Sequence, residues 1–332
     1  MFTLEILLYI LVFIVSCASF YFSGQLVVKS LISIAKVLEW KEFVITFVVM
    51  AIVASLPNLF VGIFSAIQGI PQLSFGDVIG GNVVDTTLAI ALAALFSKSG
   101  IPAKSRTVQT TLSFTALAAL LPILLAWDGV ISRPDGVILI LFYILYLIWL
   151  FSKKENFSKA CEEDEKSKNK KNIKKNNASL KKSINNILKI IAGLAIFILA
   201  SNGVVLSAEY FAKTFNWSLI LIGLFIVGIG NCAPEIFFAI TSARKNQTWL
   251  VLGDLMGAII GPATFVLGIV ALISPIVIQD FSPFAVTRIF LIFSIALFYY
   301  FVKNDEKISK KEAAILLMTY IAFIITEIFV KL

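Results

Sequence analysis

Two stretches of this chain carry the same uncommon residues in the same order, at a constant offset of 177 positions. Trp40 matches Trp217, Pro57 matches Pro234, and Phe60 matches Phe237. Ser65-Ala66 matches Ser242-Ala243, and Gly76-Asp77 with Gly80 matches Gly253-Asp254 with Gly257. Val27-Val28 and Ser30 match Val204-Val205 and Ser207, and no gap is needed between roughly residues 24 and 96. Apolar stretches resemble one another through composition alone, but Pro, Trp, Gly and Asp at fixed spacing do not. The chain therefore folds as two copies of one unit.

Composition says what kind of unit. Of the 332 residues 59% are hydrophobic and 14% charged, where soluble domains carry about 25% charged residues. So few charges cannot cover a water-facing surface, which excludes a single soluble enzyme and a disordered chain. The apolar residues gather into ten segments: Leu4–Phe22, Phe43–Ile67, Phe75–Phe96, Thr107–Trp127, Val137–Phe151, Ile187–Glu209, Trp217–Ser242, Trp249–Ile273, Phe284–Phe301 and Ala313–Val330. Most approach the ~20 residues that a membrane-spanning helix needs. The sequence predicts an all-α polytopic membrane protein with a first five-helix repeat over 1–151, a loop over 152–186 and a second repeat over 187–332. Five is odd, so the second copy enters the bilayer with opposite polarity. Such inverted repeats recur in secondary transporters, with the substrate site near the midplane where the halves meet.

The net charge of +8 suggests nucleic acid only until the charges are mapped. The connections after helices 1, 3, 5, 7 and 9 hold 24 of the 28 Lys and Arg, leaving Arg133, Lys213, Arg288 and Lys331 on the other side. Lys and Arg are retained in the cytoplasm. The expected protein thus sits in the plasma membrane with both termini outside and the central loop cytoplasmic, in contact with lipid and not with nucleic acid. That loop is rich in Lys, Asn and Ser and contains Glu162-Glu163-Asp164-Glu165, the composition of a flexible linker. Cys17, Cys161 and Cys232 show no metal or disulfide spacing, and the absence of His excludes imidazole chemistry. Met-Phe-Thr-Leu-Glu lacks the basic start of a signal peptide, so the first segment is expected to remain a helix. No phosphate-binding loop or soluble ATPase domain is evident, and an intramembrane enzyme fits poorly because Cys232 has no evident base. The expectation is a gradient-driven carrier with no cofactor, and not an enzyme.

The best-matched stretches are Val53-Ala-Ser-Leu-Pro-Asn58 with Gly76-Asp-Val-Ile-Gly-Gly-Asn-Val-Val-Asp85, and Gly230-Asn-Cys-Ala-Pro-Glu235 with Gly253-Asp-Leu-Met-Gly-Ala258. Pro57 and Pro234 lie inside long apolar helices, where proline removes a donor and frees carbonyls. Freed carbonyls in a bilayer need protein, water or an ion, so helix breaks are expected here beside Asn58 and Glu235. On the third helix Asp77, Gly81 and Asp85 share a face with Asn82 beside it, and Gly80 and Gly81 allow a neighbouring helix close. Intramembrane carboxylates are costly and mark function by default, which singles out Asp85 and Glu235 as ion- or proton-binding groups and as the expected ligands of any metal ion. Asp77 and Asp254 are expected to start their helices, either as caps favoured by the helix dipole or as acidic vestibules on opposite sides.

These residues resemble the calcium/cation antiporter superfamily, the sodium/calcium exchangers. Its repeats carry Gly-Thr-Ser-Leu-Pro-Glu on one helix and Gly-Asn-x-x-Gly-Ser-Asn-x-x-Asn/Asp on the next, matched here over 53–85 and 230–262. The resemblance implies ion ligands at Ser55, Asn58, Gly81 and Asp85, and at Asn231, Cys232, Glu235 and Ala258. It also implies exchange of Ca²⁺ for Na⁺ or H⁺ by alternating access. The departures are Ala54 for Thr, Asn58 for Glu, Gly81 and Ala258 for hydroxyl residues, Ile259 for Asn, and Pro262 for Asn or Asp. They leave Asp85 and Glu235 as the expected central acids, enough to neutralise one divalent ion or two monovalent ones. The alternative is a degenerate homologue that binds an ion for a structural or sensory role without exchange.

Overall fold

The structure is a computed structural model that describes residues 2–37, 42–104, 106–152, 179–246, 248–278, 282–304 and 306–331. Most of the expected linker, Cys161 within it, and Trp40 lie outside the described residues.

Ten apolar helices follow the ten apolar segments. They are α1 (Phe2–Val37), α2 (Glu42–Ile67), α3 (from Gln72 to Phe96), α4 (Arg106–Leu125) and α5 (Arg133–Ser152) in the first repeat. The second repeat holds α6 (Ser179–Phe215), α7 (Leu219 to Arg244), α8 (Thr248 to Ile273), α9 (Ser282–Asn304) and α10 (Lys310–Lys331). Among the described residues nine of them are long and apolar enough to span a bilayer, and the tenth, α2, runs for 26 residues and includes the apolar stretch Ser55–Ile67. The chain is a multi-pass membrane protein built of two repeats.

The first helix of each repeat is longer than its apolar segment, at 36 residues for α1 and 37 for α6. At 1.5 Å per residue that is about 55 Å, against a hydrocarbon core of about 30 Å. The extra turns carry polar and basic residues such as Lys29, and Asn186 Nδ2 of α6 donates to Ser33 Oγ of α1 at 2.7 Å.

Burial sorts the helices into layers. The α3 and α8 spans are 83% and 78% buried, whereas α1 and α5 are 17% and 22% buried and turn Leu, Ile and Phe outward. Helices α3 and α8 hold matching places in the two repeats, so the pseudo-symmetry puts one central helix from each half at the core. The halves interlock there. A Cβ on Gly76 would stand 2.1 Å from the Ile220 carbonyl oxygen of α7, and one on Gly80 2.4 Å from that of Leu224. A Cβ on Gly62 of α2 would meet Val270 and Val266 of α8 at 2.8 and 3.2 Å. Each proline-bearing helix thus packs on the central helix of the other repeat.

Four two-residue strands, which are too short to leave a sequence pattern, join the repeats outside the helices. β1 (Ile101–Pro102) pairs antiparallel with β4 (Lys307–Ile308), and β2 (Val130–Ile131) with β3 (Ile276–Val277). Each pair joins one loop of the first repeat to a loop of the second that inverted topology brings to the same side. Gly100, at φ 83°, makes the approach to the Ile308 carbonyl that a side chain would block.

Candidate functional site

Three helices change pitch at their centres. Single π turns occupy Asp85–Ala89 in α3, Gly223–Val227 in α7 and Gly261–Val266 in α8. Such turns are rare and concentrate at functional sites. The first and third are equivalent, because the offset of 177 maps Asp85 onto Pro262. In α8 the cause is visible: Pro262 has no N–H for the carbonyl of Ala258, so the ladder re-registers. In both helices a threonine hydroxyl covers an opened carbonyl. Thr87 donates to the Val83 carbonyl, and its counterpart Thr264 to that of Ile260 at 2.5 Å. Thr86 Oγ1 adds a bond to the Asn82 carbonyl at 2.6 Å. Thr87 and Thr264 are themselves a matched pair of the repeat, a signal in the sequence that the motifs do not contain.

By contrast, helices α2 and α7 run through Pro57 and Pro234 as continuous helix. The expected helix breaks at these prolines are not found. Each proline removes one donor, and the packed flanks of a long apolar helix hold the remaining bonds. The pitch changes fall instead in α3 and α8, and in α7 one turn before Asn231.

Around these turns the expected site residues come together, drawn from both repeats. Ser55, Asn82, Asp85, Asn231, Cys232 and Glu235 are all buried, and Asn58 is half-buried. Ser55 Oγ of α2 lies 2.5 Å from where a Cβ on Gly261 of α8 would stand, and Cys232 Sγ of α7 lies 3.2 Å from that of Gly81 in α3. Cys232 and Asp85 are near enough for the thiol and the carboxylate to influence one another. Asn231 Nδ2 donates to Asn58 Oδ1 at 3.0 Å and to Asp77 Oδ1 and Oδ2 at 3.0 and 2.9 Å, tying three helices together. Several polar atoms here are buried without a hydrogen-bond partner: Asp85 Oδ1, Glu235 Oε2, Asn231 Oδ1, Asn82 Nδ2 and Asp254 Oδ2. Unsatisfied buried groups each cost about 1–3 kcal/mol, so their concentration at one place calls for a ligand or a function.

Asp77 and Asp254 are placed differently from expectation. Helix α3 begins at Gln72 and has no acid in its first turn, and α8 begins at Thr248, so neither aspartate is an N-terminal cap. Asp77 is 1% exposed, which removes it from an aqueous vestibule. The acidic side chains near enough to act on Glu235 are Asp85, Asp254 and Asp77, and Asp254 also acts on Asp85. Four acids therefore share one neighbourhood where two were expected. Among the described residues none of the four is ion-paired to a Lys or Arg. Nor, among those residues, do three Asp, Glu or Cys side chains meet closely enough to ligate one ion unaided, so amides, hydroxyls and carbonyls must supply the other donors of any cation site.

Ten membrane helices in two interlocked inverted repeats, with carboxylates and amides buried at the interface between them, define the class of secondary transporter. The family model for the sodium/calcium exchanger protein matches this chain twice, over residues 8–152 and 185–329. The chain belongs to that family. It is 27% identical to the sodium/calcium exchanger MaX1 of Methanosarcina acetivorans, with 98% of each chain covered. It is 25% identical to the putative antiporter CaxA of Alkalimonas amylolytica, over 88% of this chain and 89% of that one. Among solved structures, the sodium–calcium exchanger NCX_Mj soaked with 10 mM Na⁺ and 10 mM Sr²⁺ matches with a TM-score of 0.64 at 25% identity, covering 96% of this chain and 98% of that one.

Proposed function

We propose that this exchanger moves a divalent cation, Ca²⁺ in the first instance, against Na⁺ or H⁺ by alternating access at the interface of the two repeats. The observation that carries the reading is the meeting of buried Asp85 and Glu235, one from each repeat, each with a carboxylate oxygen that has no hydrogen-bond partner. Calcium takes about 6–8 oxygen ligands, among them carboxylates, amides and carbonyls. Asn58, Ser55, Asn231 and Asn82 offer amide and hydroxyl oxygens, and Pro57 and Pro234 leave the carbonyls of residues 53 and 230 without their helical donor. Cys232 stands beside Asp85. Helices α1 and α6 form an antiparallel pair against this site, with Cys17 of α1 2.9 Å from where a Cβ on Gly230 would stand. Their rocking against the rest would open the site to either side in turn, as inverted halves allow.

Purified protein in liposomes should take up Ca²⁺ when a Na⁺ or H⁺ gradient is imposed, with the other divalent cations and K⁺ tested as competitors. Uptake indifferent to both gradients excludes exchange. A second reading, ion binding without transport, is favoured by Ala258 and Pro262, which bring no side-chain oxygen to α8. Calorimetric Ca²⁺ binding in protein that shows no flux would select it.

The distribution of basic residues supports a cytoplasmic central loop. A Lys170→Cys variant in a Cys161→Ser background should resist a membrane-impermeant maleimide in intact cells and react after permeabilisation. Labelling from outside reverses the orientation.

A further inference from the structure

The two repeats differ at one matched pair of site positions. The offset of 177 sets Asn58 against Glu235 and Asp77 against Asp254. The second repeat carries acids at both positions, whereas the first has an amide at one and an acid at the other. In the fold these two first-repeat residues are not independent, because one amide group bonds both. Asn231 Nδ2 reaches Asn58 Oδ1 at 3.0 Å and the two Asp77 oxygens at 3.0 and 2.9 Å. The orientation of that amide follows from charge, since turning it would set Oδ1 against two carboxylate oxygens.

The bond from Asn231 does not by itself call for an aspartate at this place, because an asparagine carbonyl would accept it as well. Asp77 lies in the second turn of α3, outside the reach of a helix-terminal dipole, and is 1% exposed. A buried carboxylate in a bilayer is costly, and a neutral amide donor does not cancel its charge. Asp77 is near enough to act electrostatically on Glu235, on Cys232 and on Cys17 of α1. Asn231 Oδ1, 3% exposed with its residue, is an oxygen at the same place without a partner. Gly76 and Gly80 bring the α3 backbone against α7 on either side of Asp77, so the carboxylate is fixed between the repeats.

Resting on the exchange site proposed above, we propose that Asp77 is a further cation ligand of the first repeat beside Asp85, supplying the charge that position 58 lacks. Asn231 positions it, and Asn58 Oδ1, which shares that amide donor, adds an oxygen suited to a hard cation, Ca²⁺ or Na⁺.

The test is an exchange of the two side chains. Wild type, Asp77→Asn, Asp77→Glu and the double variant Asn58→Glu/Asp77→Asn are compared by calorimetric Ca²⁺ binding in detergent and by Na⁺-driven Ca²⁺ uptake in liposomes. Truncating one partner of a buried charged contact costs about thirtyfold or more, so Asp77→Asn should weaken Ca²⁺ binding by at least that factor. Asp77→Glu should keep binding, and the double variant should recover most of what Asp77→Asn loses. Unchanged binding in Asp77→Asn overturns the proposal, as does a double variant no stronger than Asp77→Asn while melting like wild type. If Asp77→Asn does not fold, a folded double variant that fails to bind Ca²⁺ overturns it and one that binds supports it. Wild type that binds Ca²⁺ through Asp77 without exchanging it sinks the antiport reading alone. Flux that survives Asp77→Asn sinks the Asp77 assignment alone, and wild type that binds neither Ca²⁺ nor Na⁺ overturns both.

Discussion

Replacing Glu235 by Gln and Asp85 by Asn together should bring gradient-driven Ca²⁺ uptake in liposomes down to that of protein-free vesicles. The substitutions keep side-chain volume and remove one formal charge from each repeat. Neutralising one charged partner in a desolvated site costs about 2–5 kcal/mol, so the pair weakens binding by about a thousandfold or more. Loss of fold would not account for the result. Asp85, Asp254 and Asp77 are near enough to act on Glu235, and Asp254 on Asp85, and buried acids of this kind are retained at a cost in stability. The double variant should therefore melt at or above the wild-type temperature while losing transport. Wild-type flux in a well-folded double variant would show that the cation passes elsewhere.

The second large effect concerns the joint between the repeats. Gly80→Ala places a Cβ 2.4 Å from the Leu224 carbonyl oxygen, and Gly76→Ala places one 2.1 Å from that of Ile220. The opposing atoms are backbone, so a whole helix must move, and overpacking of this kind costs about 1–3 kcal/mol or more per site. Gly24→Ala in α1 is the control, since its nearest neighbour is the rim of the Phe197 ring at 3.9 Å. Replacing a helical Gly by Ala where space allows should stabilise by about 0.5–1 kcal/mol. Thermal unfolding in detergent should thus rank Gly24→Ala at or above wild type, with Gly80→Ala and Gly76→Ala far below it. Equal melting of all three would mean that α3 and α7 do not touch at these glycines.

Much of this architecture is written locally. Runs of apolar residues near bilayer length give helices whatever surrounds them, because a backbone in hydrocarbon must satisfy its own hydrogen bonds. That is why all ten segments are helices, and why the 177-residue offset reports two copies of one fold. The motif residues Asp85, Asn231, Cys232 and Glu235 are legible for a related reason, since polar side chains inside an apolar run stand out against their background. The prolines mislead because one missing donor is a weaker perturbation than a long packed helix can absorb, so Pro57 and Pro234 bend no ladder into a break.

What the sequence could not decide is which side chains meet across the repeats. Phe75 opens the apolar run and so suggests a helix start at Asp77, yet the helix begins earlier, at Gln72, and carries Asp77 one turn into the interior. Its bond to Asn231 spans 154 positions, and the two-residue strands join residues as far apart as Ile101 and Ile308. Such pairings have no local cost or pattern to betray them; they exist only once two amphiphilic surfaces have docked. The sequence by itself determined a ten-helix exchanger with an acid in each half, because burial in lipid acts on each segment separately. The tertiary structure alone decided that four acids and one bridging asparagine share the interface, because proximity between distant residues is a property of packing.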